Sequence, residues 1–207
     1  KKIVVEFVDE NSPFITEESV NKLLIENNSS VKNIQKDKVD LKGLEQNLNN
    51  HNMIQKCEVF VTVDGVLKAV VKQKTPVARV FGPDGSFYVD YEGHRMPLSD
   101  NFTARVPIVS GTINKQNNQD LIKVFRYIYD DEFLQKNIIG VEVLPGGSLK
   151  MRNRNFNYVI DFGKTINVDK KFKNYKAFFQ KAVQDSLINN YKTVNLKFTQ
   201  QVVCTKN

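Results

Sequence analysis

One proline constrains this chain more than any other residue. The stretch "GVLKAVVKQ" (Gly65–Gln73) alternates apolar and basic side chains as a strand does, and Lys74-Thr75-Pro76 follows at once. A second strand-like run, Val77 to Phe81, then begins with no spacer. Proline has no amide hydrogen to donate, so Pro76 ends the first ladder. Its ring also keeps the preceding Thr75 extended, so the chain runs straight on into a new sheet. The junction Thr75-Pro76 therefore predicts two domains, 1–75 and 76–207, held as a rigid extended scaffold and not as a cleft that closes.

Before the junction the signals are local and mutually consistent. "KIVVEFVD" (Lys2 to Asp9) reads as a strand, ended by the turn Asn11-Ser12-Pro13. Thr16 caps a helix with Glu17 and Glu18 in its positive first turn and Val20, Leu23 and Leu24 as its apolar stripe. Asp40 caps a second helix carrying Leu41, Leu44 and Leu48. Two strands follow, joined by the hairpin pair Asp64-Gly65. On the second, Leu67, Ala69 and Val71 share the core face, while Lys68, Lys72 and Lys74 face solvent. Strand, helix, helix, strand, strand is the expected order.

After Pro76, short strands recur around turns at Phe81-Gly82-Pro83-Asp84-Gly85, Tyr91-Glu92-Gly93 and Leu144-Pro145-Gly146-Gly147. Two amphipathic helices interrupt them. One carries Leu121, Val124, Phe125, Ile128 and Tyr129, the other Phe172, Tyr175, Phe179, Ala182 and Val183. Both stripes read as core. The stretch from Thr193 to Thr205 reads as one closing strand. Val194, Leu196, Phe198, Val202 and Cys204 then share one face, with Lys197, Thr199 and Gln201 on the other. The fold class is α+β: a small βααββ domain followed by a larger mixed sheet with helices packed on it.

Composition narrows the function. The net charge is +7, but the 30 basic residues are spread along all 207 positions. The tightest clusters are "KMRNR" (Lys150 to Arg154) and "DKKFKNYK" (Asp169 to Lys176); the lysines of the second read as a solvated helix face. Nucleic acid is not an expected partner. Cys57 and Cys204 lack any metal or redox spacing and read as small buried hydrophobes, with a disulfide between them the alternative. His51 and His94 stand alone, and no cofactor or metal is expected. Asp90, Glu92 and His94 fall close together, but no nucleophile or oxyanion signature accompanies them, so no enzyme is expected. Every apolar run falls short of the ~20 residues that cross a bilayer. The start without methionine, at "KKIVVEF", reads as a fragment of something longer.

At the junction the chain resembles the FtsQ/DivIB bacterial cell-division proteins, in which a POTRA domain runs directly into a larger β domain. Three stretches carry the likeness: "MIQKCEVFVTVDGVLKAVVKQKTPVARV", then "YVDYEGHRMPLSD" with "VPIVSG", and "VNLKFTQQVVC". Members often have an acidic residue where this chain has Gln73-Lys74, and Asp-Leu-Arg-Tyr where it has Asn195-Leu196-Lys197-Phe198. The resemblance implies a non-catalytic divisome scaffold that binds the FtsB/FtsL pair and helps assemble and regulate septal cell-wall synthesis. It implies a single-pass protein of the cytoplasmic membrane, with this region outside the cytoplasm at the septum and the transmembrane helix upstream of Lys1. It maps the partner site onto Lys197, Phe198, Thr199, Gln200, Gln201, Val202 and Val203. POTRA units also serve envelope secretion and assembly modules that bind polypeptide segments by strand addition, and that is the alternative.

Overall fold

A computed structural model describes residues 3–9, 13–26, 39–82, 85–111, 113 and 118–207. The expected turn residues Asn11, Ser12, Pro83 and Asp84 lie outside these. The chain divides into two units, Lys1–Thr75 with Met96–Ala104, and Pro76–Arg95 with Arg105–Asn207.

The first unit follows the order strand, helix, helix, strand, strand: β1 (Ile3–Phe7), α1 (Glu17–Glu26), α2 (Leu41–Asn49), β2 (Ile54–Val61) and β3 (Leu67–Gln73). Its three-stranded sheet runs β1-β3-β2, with β3 parallel to β1 and antiparallel to β2. Both helix starts are capped as their sequences require. Thr16 Oγ1 accepts the Ser19 amide at 3.1 Å, and Asp40 Oδ1 accepts that of Gly43 at 2.9 Å. Between β2 and β3, Gly65 adopts φ 86°, a value that only glycine takes without strain. Val20, Leu24, Leu44 and Leu48 bury against Val5, Cys57, Val59, Leu67, Ala69 and Val71. Each large aliphatic side chain so buried contributes roughly 1.5–3 kcal/mol.

The segment Met96–Ala104 groups with this unit although it follows Pro76 in the chain. Contacts with Phe14 help to hold it. Ser99 Oγ donates to the Phe14 carbonyl at 2.6 Å, and the rings of Phe14 and Phe102 meet edge to face at 5.1 Å.

The second unit contains β4 (Pro76–Gly82), β5 (Gly85–Asp90), β6 (Arg95–Met96, of which Met96 groups with the first unit), β7 (Ile108–Gly111), α3 (Asn118–Asp130), α4 (Glu132–Asn137) and β8 (Ile138–Val143). It continues with β9 (Leu149–Asn153), β10 (Val159–Gly163), α5 (Val168–Gln184), β11 (Tyr191–Asn195) and β12 (Val203–Lys206). The strands form one nine-stranded sheet in the order β12-β11-β10-β9-β8-β7-β4-β5-β6. It is mixed: β4 and β7, β7 and β8, and β10 and β11 pair in parallel, the other strand pairs described antiparallel.

Register explains the core. Val80, Val109, Val141, Met151, Ile160, Val194 and Cys204 lie opposite one another strand by strand. This apolar row packs with Leu121, Val124, Phe125 and Ile128 of α3 and with Phe172 and Tyr175 of α5 in one cluster. Inside it the Tyr158 and Tyr175 hydroxyls bond at 2.8 Å, and Asn153 Nδ2 donates to Tyr175 at 2.9 Å. A polar knot of this kind satisfies the hydroxyls that large buried tyrosines bring inside.

Two details correct the reading of α5 and its surroundings. The lysines of Asp169 to Lys176 are not all solvated. Lys171 is 2% exposed, because its ammonium donates to the carbonyls of Phe162 and Lys164 at 3.0 and 2.6 Å. Lys176 is half-buried and pairs with Asp131 at 2.6 Å. Asp131 in turn caps α4, a short helix with no counterpart in the sequence reading, by accepting the Leu134 amide at 3.0 Å.

Candidate functional site

The expected closing strand is a correction: it is two strands and a connection. Strand β11 ends at Asn195, whose side chain accepts the Lys197 amide at 2.9 Å. That local bond replaces a ladder bond and turns the chain out of the sheet. Leu196 still donates to the Asp161 carbonyl and stays buried. From Lys197 the chain crosses the end of the sheet and returns as β12, antiparallel to β11, with Val194 opposite Cys204 and Asn195 opposite Val203. Phe198 is therefore 50% exposed and does not share a core face with Val194.

The predicted site residues sort accordingly. Lys197 bonds Asp161 at 2.6 Å, the Thr199 carbonyl accepts Asn174 Nδ2 at 3.0 Å, and Gln200 and Gln201 are exposed. Only Val203 belongs to a strand. The sequence reading places Cys204 and Thr205 in the closing strand but not among the site residues, and it stops one residue short of Lys206; these three complete β12. The available signal was Asn195, a turn-forming residue inside an otherwise apolar alternation.

Strand β12 ends the sheet, so one of its two rows of backbone donors and acceptors has no neighbouring strand among the described residues. An edge of this kind is a template for a further strand. Beside it lies a pocket of about 310 Å³, walled by Asn174, Phe178 and Ala182 of α5, Leu187, Tyr191 and the connection residues Gln200 to Val202. Lys181 and Asp185, paired at 3.1 Å, stand at the same pocket. The place combines an unpaired backbone row with a partly apolar hollow, which is the chemistry of peptide capture by strand addition.

The other candidates resolve into structural roles. Asp90 is buried and accepts the His94 amide at 2.7 Å across the Tyr91-Glu92-Gly93 turn, its carboxylate 3.6 Å from His94 Nδ1. Cys57 and Cys204 are both free thiols. Burial first, then Glu45 and Glu58, push the Cys57 thiol up to about 11, far from a reactive thiolate. Among the described residues, no three His, Cys, Asp or Glu side chains gather as a metal site.

Family models match both units. The model described as "FtsQ/DivIB, C-terminal related" matches residues 75–205, and that described as "POTRA-like domain" matches residues 1–72. The chain belongs to the FtsQ/DivIB family. A comparison with individually curated proteins finds no match. The family gives the chain a role in bacterial cell division, as a POTRA plus C-terminal-domain protein of the divisome. FtsQ/DivIB-like and POTRA domains are typically non-catalytic scaffolds, and the FtsQ/DivIB family suggests divisome protein partners. Family membership also suggests a membrane-anchored protein of the division septum. Among the described residues, no helix is long and apolar enough to cross a membrane.

Proposed function

We propose that this FtsQ/DivIB protein binds the FtsB/FtsL pair outside the cytoplasmic membrane and so helps assemble and regulate septal cell-wall synthesis. In this reading residues 1–75 are the POTRA domain and 76–207 the β domain, and a single upstream transmembrane helix anchors both at the septum. The chain acts as a scaffold and performs no chemistry of its own. The observation that supports the reading is the open edge of β12 next to the α5 pocket. A partner strand laid along Val203–Lys206 extends the sheet through backbone bonds, which tolerate side-chain change at Asn195, Lys197 and Phe198. Of the expected contacts, Lys197 to Val202 then serve as the rim and Val203 as the first paired residue.

Amide hydrogen exchange tests this directly. In the free protein the outward amides of Val203–Lys206 exchange fast. On adding the extracytoplasmic FtsB/FtsL segment they become protected, while the inward amides bonded to β11 barely change. Tight binding that leaves the β12 amides exchanging as before places the partner elsewhere and sinks the reading.

A further inference from the structure

The helices of the second unit take one face of its sheet, and the opposite face carries two kinds of charge. In one register row the charges neutralise one another. Glu142 lies opposite Lys150, Lys150 opposite Asp161, and Asp161 bonds Lys197 at 2.6 Å. The adjacent row does not. Arg79 on β4 lies opposite Ile108 on β7, Ile108 opposite Gly140 on β8, and Gly140 opposite Arg152 on β9. No acid stands in this strip.

Both arginines lack a carboxylate among the described residues. The Arg79 guanidinium lies 5.2 Å from the Phe81 ring centroid and 6.0 Å from that of Tyr88, and its Nε is buried without a hydrogen-bond partner there. A buried donor left unsatisfied costs free energy and calls for an acceptor. Arg152 is exposed. Phe81 and Ile108, on the same face, are 50% and 49% exposed. Gly140 leaves the strip bare at its middle. A Cβ built there meets nothing closer than 3.6 Å, and its φ is ordinary, so the strand does not require glycine.

We propose that this strip binds an acidic polypeptide segment. Two carboxylates engage Arg79 and Arg152, and an apolar side chain between them settles over Ile108 and Gly140. The dimensions agree. Three strand spacings separate the arginines by about 14 Å, and an extended peptide sets side chains i and i+4 about 13 Å apart. Arginine suits the task because its planar fork takes a carboxylate through two parallel bonds. The site lies on the sheet face and is distinct from the β12 edge.

The probe is acetyl-Glu-Ala-Leu-Ala-Glu-amide, titrated at low salt into the isotope-labelled chain and followed by amide chemical shifts. Shifts should centre on Arg79 to Phe81, Ile108, Gly140 and Arg152. The Gln-Ala-Leu-Ala-Gln peptide should bind about tenfold more weakly or worse, as expected for losing charge-assisted bonds. Because R79Q disturbs two ring contacts, the exposed R152Q variant carries the test. It should weaken binding about tenfold, whereas K123Q, at an exposed lysine of α3 away from the strip, should leave it unchanged. Equal binding of the glutamine peptide, or R152Q behaving as wild type, overturns the proposal. So does a result in which phosphatidylglycerol vesicles produce these shifts and the peptide does not, which assigns the strip to a lipid surface.

Discussion

Gln73 and Ile15 meet through a single side-chain oxygen. Gln73 Oε1 accepts the Ile15 amide at 3.0 Å and, with its other lone pair, the neighbouring Phe14 amide at 2.9 Å. The last residue of β3 thereby supplies the acceptors that the turn before α1 lacks. Replacing it by leucine keeps the volume and orphans two amides, each costing about 1–3 kcal/mol. Urea denaturation of Q73L should show a loss of about 2 kcal/mol or more, and Lys72→Ala on the exposed face almost none. Equal effects would refute the pinning role.

His51 gives the first unit a pH dependence. Burial first, and the Lys74 ammonium second, hold its imidazole below the ordinary value. The Met53 amide donates to Nδ1 at 3.3 Å, which requires that nitrogen unprotonated. As pH falls through about 6.5 the unfolded chain takes the proton first. Stability attributable to His51 is therefore complete above that value and declines below it, until the folded imidazole is protonated too. Comparing H51N with wild type across pH 8 to 5 should show the wild-type advantage shrinking only in the acidic half of the range. A constant difference would dismiss the effect.

Tyr175 sits where two buried groups need it. Its hydroxyl bonds both Tyr158 and Asn153, and burial foremost holds both tyrosines above the usual phenol range. Y175F strands the Asn153 amide donor and takes away the partner of the Tyr158 hydroxyl, at about 1–3 kcal/mol. The loss should appear in thermal or urea unfolding with no change in secondary-structure signal. A neutral Y175F would mean that the knot is dispensable.

Two glycines of similar backbone separate strain from crowding. Gly111 (φ 95°) would aim a Cβ at the Val143 backbone, 2.1 Å from its carbonyl oxygen, whereas Gly147 (φ 72°) has nothing within 4 Å. Alanine at Gly147 should cost only the left-handed penalty of roughly 1–2 kcal/mol. Alanine at Gly111 adds a collision with backbone that cannot swing away and should cost distinctly more. Matched denaturation curves for the two variants would contradict this.

What the sequence revealed was what neighbours in sequence decide. Asp40 caps α2 because Gly43 is three residues away, and Asp64-Gly65 turns β2 into β3 because only its own backbone is involved. The α+β class and the apolar stripes of α3 and α5 followed from periodicity. Lys171 was misread because its acceptors, Phe162 and Lys164, lie on a strand end that helical spacing does not reveal. The closing hairpin was misread because alternation continues by accident from Leu196 to Phe198, while one Asn195 side chain ends the strand. Strand order in the larger sheet, which makes β12 the edge, depends on pairings between distant segments and left no local trace.

The return of Met96–Ala104 to the first unit bears on how such proteins diversify. A crossover between genes at Pro76 would transfer β1 through β3 but leave behind Ser99 and Phe102, the groups that bond and pack on Phe14. The first unit is thus complete only together with a segment encoded beyond Pro76. Lineages carrying this strap should inherit and exchange the two units as a pair.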